Sequence, residues 1–166
     1  IGEAFGNRFE LVQSVNFVDS YFKNIYFPQM NFSVEIGPHM DLETLPPVKD
    51  VYITLLPGED YTKTAEKAGN LAKKGFNPVP HFPARSILDK SQLKDYISRC
   101  KDIGVKQALV IGGSHNQIGS FDSSIQILET GYFEKMKIGI AGHPEGSPDI
   151  SDSNLEKTMK DKKPYA

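Results

Sequence analysis

Four histidines stand where chemistry is easiest to place: His39 after NFSVEIGP, His81 after NPVP, His115 after ALVIGGS and His143 after IGIAG. Each follows a short β-rich run at the point where a strand would give way to a loop. Glu35, Thr54, Arg85, Ser114, Asn116 and Glu145 lie at or near the same run ends. Imidazoles and carboxyls at such positions can exchange protons, hydrogen-bond a planar ring or ligate a metal. If the runs are parallel strands of one sheet or barrel, all these side chains collect on the carboxyl-terminal rim, where such folds carry ligands and catalysis.

The elements that must position them alternate in texture. DVYITLL (50–56) precedes a helix expected near 60–74, with Tyr61, Ala65, Ala68 and Leu71 on one face and Gly75 as its stop. NPVPHFPA (77–84) precedes a helix near 90–103, VKQALVIGG (105–113) one near 120–130, and KIGIAG (137–142) one near 153–163. With NFSVEIGP (31–38) ahead of them, five β-runs separated by helices or loops require parallel pairing through right-handed crossovers. The fold class is α/β. A closed TIM-type barrel takes ~250 residues for eight β/α units, so the expectation is a parallel (β/α) barrel of which about five units are present. The open, doubly wound sheet is the alternative, but no GxGxxG follows the first run.

Residues 1–166 then form one partial barrel domain, with residues 1–30 as an N-terminal helical extension seamed by Leu11, Val15, Val18, Phe22 and Ile25. The start at Ile1 and the stop at KKPYA, just past a helix, read as cut ends.

Composition narrows the function classes. With 39% apolar and 24% charged residues the chain reads as a folded globular domain. Its formal charge of −2, from sixteen Lys, three Arg and 21 acidic residues, provides no basic stripe, so nucleic acid is not the expected partner. Small molecules are, and a homo-oligomer is possible. Cys100 stands alone, on the apolar stripe of a helix, and reads as packing. No run approaches the ~20 apolar residues of a membrane span, and IGEAFGNRFE has no signal-peptide pattern. Neither membrane nor export is expected, and the reading is cytoplasmic.

Taken in order, the run ends resemble the methylenetetrahydrofolate reductase family. FSVEIGP with Glu35 is similar to the family's F-E-F-F-P-P segment, YITLL with Thr54 to V-T-Y, and VPHFP with His81 to A-P-H-L-T. VIGGSHN matches part of L-R-G-D, and AGHPEGSP is similar to A-Y-P-E-x-H-P. The resemblance covers roughly residues 31 to 163. It implies a barrel holding FAD, which takes a hydride from NADH or NADPH and passes it to 5,10-methylenetetrahydrofolate to give 5-methyltetrahydrofolate, a step of one-carbon metabolism.

By the same resemblance Glu35 is the general acid that helps open the folate's imidazolidine ring. A carboxyl on such a strand among apolar neighbours is expected to hold its proton more tightly, as an acid needs. Thr54 and His81 correspond to residues lining the flavin, His143 to one beside its adenine or ribose end, and Lys160 could meet its pyrophosphate. The turn Ile111-Gly112-Gly113-Ser114 is expected to bring backbone N–H groups close to the ligand, because glycine permits close approach. The chain departs from the family at this turn, which carries no carboxylate, at LPGEDYTK after the second run, and at Ser147, where the family has histidine.

Other readings stay open. A folate-binding one-carbon protein or methyltransferase without flavin would account for the missing carboxylate. A metal-dependent barrel enzyme could draw on His39, His81, His115, His143, Glu35 and Glu145, but no HxH or HExxH brings two ligands together, and no residue is assigned to a metal. An incomplete barrel without catalysis is the last.

Overall fold

The computed structural model describes residues 32–166 apart from 144 and 149; the expected N-terminal extension lies outside the described residues. Five strands form one parallel sheet: β1 (Val34–Ile36), β2 (Asp50–Ile53), β3 (Asn77–Pro83), β4 (Gln107–Ile111) and β5 (Lys137–Ile140). Their spatial order is their chain order, β1-β2-β3-β4-β5. In register, Glu35 stands opposite Tyr52 and Tyr52 opposite Val79, while His81 stands opposite Leu109 and Leu109 opposite Gly139.

Four α-helices are described: α1 (Tyr61–Lys73), α2 (Lys90–Asp102), α3 (Ser124–Leu128) and α4 (Asp152–Lys162). Local chemistry sets their bounds. Asp60 caps α1 by accepting from the Thr62 N–H at 2.9 Å, and Asp89 caps α2 by accepting from the Gln92 N–H at 2.8 Å. Gly75 and Gly104, just past their ends, take φ of +88° and +83°, the left-handed conformation in which helices commonly end. α3 is shorter than the periodicity suggests because its start is fixed late, by the Ser123/Gln126 capping box, and Gly131 turns the chain at φ +72°.

Successive strand residues point to opposite faces of the sheet, and the two faces differ. Val34, Ile36, Val51, Ile53, Phe82, Ala108, Val110, Ile138 and Ile140 form one continuous core with Ala65, Ala68 and Leu71 of α1, Leu93, Tyr96, Ile97 and Cys100 of α2, and Ile127 and Leu128 of α3. Thus α1, α2 and α3 cover the same face. Among the described residues, no helix is long and apolar enough to cross a membrane.

Candidate functional site

The opposite face carries the alternate residues. Tyr52, Val79 and Leu109 are buried there as a small cluster, with Ile111 packed against it. Glu35 of β1 and His81 of β3 share that face by register. Their side chains approach to 3.9 Å, Glu35 Oε2 to His81 Nε2. Strands that are next-but-one neighbours lie ~10 Å apart, so the two side chains lean towards each other over β2. Thr54, just past β2 and in phase with Tyr52, has a short side chain whose hydroxyl donates to the Ile36 carbonyl at 3.3 Å. This bond ties it to the backbone of β1.

His81 lies within β3 rather than past its end, because the strand runs on through Pro83. It is 5% exposed. Its backbone carbonyl accepts from the Tyr96 hydroxyl at 3.2 Å, which joins α2 to the strand beneath the site. The Tyr52 ring meets its ring edge-on, 6.1 Å between centroids at 73°. Its Nε2 is buried and has no hydrogen-bond partner among the described residues. Burial pushes the His81 pKa down from 6.5 to about 4. With its pKa lowered by burial, the imidazole is neutral at physiological pH. A neutral ring nitrogen can give or take one hydrogen bond. The Glu35 side chain, 25% exposed, is the more accessible member of the pair.

A second set of contacts joins the ends of β3 and β4. The Ser86 hydroxyl and His115 Nε2 are 2.8 Å apart, and His115 Nδ1 is buried with no hydrogen-bond partner among the described residues. The Arg85 guanidinium donates to the carbonyls of Gly113 (3.2 Å) and Asp122 (3.0 Å). Gly112 and Gly113 therefore present their carbonyl oxygens to Arg85, through the Arg85 backbone N–H for Gly112 (3.0 Å) and its side chain for Gly113. Gly113, at φ +95°, adopts a conformation that L side chains rarely take.

The remaining candidates lie apart. His39 is exposed, with Nε2 3.4 Å from Glu59 Oε1. His143 is exposed at φ +50°, and Ser114, Asn116 and Glu145 are exposed as well. Lys160 projects from α4, its side chain 74% exposed and bonded to Glu156 one turn earlier. Among the described residues, no three His, Cys, Asp or Glu side chains gather closely enough to hold a metal ion. Tyr52, Tyr96 and Ser86 were not singled out by motif. Tyr52 was recoverable from the two-residue period that puts it in phase with Thr54, whereas nothing local marks Ser86 as a partner of His115.

On the face of the sheet that holds His81, one buried ring nitrogen without a hydrogen-bond partner among the described residues lies next to the apolar cluster of Tyr52, Val79 and Leu109. No protein-family model matches the chain.

Proposed function

We propose that the sheet is an arc of a TIM-type (β/α) barrel, and that its face opposite α1–α3 serves a flavin-dependent reduction of 5,10-methylenetetrahydrofolate to 5-methyltetrahydrofolate. What supports the barrel is the strand order. A doubly wound sheet reverses direction at a switch point and carries helices on both faces, whereas here β1 to β5 advance without reversal and α1, α2 and α3 share one face.

The observation that carries the chemistry is the Glu35–His81 pair, 3.9 Å apart, with the imidazole held neutral by burial and its Nε2 unpartnered among the described residues. FAD, when bound, supplies the hydride step between a nicotinamide and the folate. His81 and Thr54 would line its ring. Glu35 delivers a proton from its carboxyl to the folate nitrogen released as the imidazolidine ring opens, the one proton transfer that reaction needs from the protein. His81 orients a ring edge through Nε2 without adding charge. Tyr52, Val79 and Leu109 keep water from the base of the site.

Glu35→Gln tests the assignment. It should abolish folate reduction while leaving bound flavin reducible by NADH or NADPH; normal turnover in that variant removes Glu35 from the reaction. A colourless protein that takes up no added FAD would remove the flavin. One observation favours a second reading, folate binding without flavin. The turn after β4 has no carboxylate, and its Gly112 and Gly113 carbonyls are occupied by Arg85. Folate binding by a flavin-free protein would select it.

A further inference from the structure

We infer that Arg85 is a positioning residue, holding the loop after β4 in one conformation against the segment that continues β3. The loop leaves β4 at Gly112 and returns at Ile118, and both ends are tied to this one residue: the Arg85 N–H donates to the Gly112 carbonyl at 3.0 Å, and the Arg85 carbonyl accepts from the Ile118 N–H at 3.0 Å. The side chain adds a third tie, from Nη1 to the Gly113 carbonyl at 3.2 Å, and a fourth, from Nε to the Asp122 carbonyl at 3.0 Å, with the Asp122 carboxylate 3.4 Å from Nε.

A planar guanidinium can satisfy two carbonyls in fixed directions at once, which a lysine ammonium on a flexible stem does not reproduce. The neighbours reinforce the arrangement. Ser86 bonds His115 inside the loop, and the Ser120 N–H donates to the Leu88 carbonyl at 2.7 Å. A Cβ at Gly113 would meet Pro83 and Arg85 at ordinary contact distances of 3.4 and 3.6 Å, so it is the backbone conformation of the turn, at φ +95°, that favours glycine there. Arg85 follows His81 by four residues on the segment that continues β3, so its bonds tie the loop to the strand that carries His81. The consequence for ligands rests on the function proposed above; the hold on the loop does not.

Amide hydrogen exchange and ligand titration, run on wild type, Arg85→Gln and Arg85→Lys, separate the two. In Arg85→Gln the amides of residues 113–118 should exchange at least tenfold faster while those of β2 and β3 keep their protection, and Arg85→Lys should fall between it and wild type. The dissociation constant for FAD or for 5-methyltetrahydrofolate, whichever the wild type binds, should rise about tenfold in Arg85→Gln. Unchanged exchange in the loop overturns the inference whatever the ligand, and so does a freed loop with unchanged affinity. A wild type that binds neither compound overturns the proposed function instead, and the exchange result then decides the role of Arg85 alone.

Discussion

His81 should make the protein acid-sensitive above the range in which carboxylates titrate. In the unfolded chain its pKa returns to about 6.5, while burial holds the folded value at about 4. The folded value is the lower, so between these limits the unfolded state binds more protons, and stability is lost as pH falls through that window. Each unit of difference corresponds to about 1.4 kcal/mol, so the full effect is roughly 3 kcal/mol. Linkage places about 1 kcal/mol of the loss at pH 6 and about 2 kcal/mol at pH 5. Urea unfolding of wild type and His81→Gln at pH 7.5, 6 and 5 reads this group, because the titrations of groups not in contact with residue 81 are common to both proteins. The wild type should lose about 2 kcal/mol more than the variant between pH 7.5 and pH 5, whatever constant offset the substitution adds through packing. Curves that stay parallel to within about 0.5 kcal/mol, a margin set by extrapolation error, would refute the reasoning. So would an NMR titration of His81 with its midpoint near 6.5, which would mean that the imidazole is solvated.

Three further outcomes follow from contacts around the site. Gly119→Ala should cost about 3 kcal/mol or more in urea unfolding, because the new Cβ would clash with the Leu88 carbonyl oxygen and Cα, backbone atoms that cannot move aside; a stable variant would contradict the close passage of the two loops. Tyr96→Phe removes the donor to the buried His81 carbonyl and should cost about 1–2 kcal/mol in the same assay, with no loss meaning that the carbonyl is otherwise satisfied. Cys100 is fully buried, and burial pushes its thiol pKa up to about 12, so Ellman's reagent should leave it untouched at pH 8 until denaturant is added; stoichiometric reaction with the native protein would contradict that burial.

The sheet and the helices were legible because their signals are local. The runs at 50–56, 77–84, 105–113 and 137–142 contain β2 to β5, and Gly75 and Gly104 mark the stops of α1 and α2. Strand ends were less so. NPVP looked complete before His81, yet the strand continues through Pro83, because pairing with β4 through His81, Phe82 and Pro83 carries it past the point where composition changes. That shift moves His81 from the rim into the sheet and accounts for its burial. The gathering of four imidazoles was an inference from strand ends alone. Loop length and partner choice are not local properties, and His39 turns to Glu59 while His115 turns to Ser86. Glu35 and His81 stand in separate runs, and their approach across β2 depends on a register that no single run encodes.

The division of the sheet into two faces gives the pair its meaning. At the amino ends of the strands, the Asp50 carboxylate accepts from the side chains of Asn77 (3.0 Å) and Gln107 (3.4 Å), so the polar groups there satisfy one another. Tyr52, Val79 and Leu109 follow as an apolar layer. At the level of Leu109, which His81 faces in register, a stable filling would use another aliphatic side chain. Instead the chain places an imidazole there that burial holds neutral, with no hydrogen bond to its Nε2 among the described residues, within 3.9 Å of a carboxyl group. Desolvating a polar group without a partner costs of order 1–3 kcal/mol. An aliphatic residue would avoid that cost and still fill the layer, so packing alone gives no reason for His81. Under the function proposed above, a ligand whose ring edge meets Nε2 would recover the missing hydrogen bond and would lie beside Glu35.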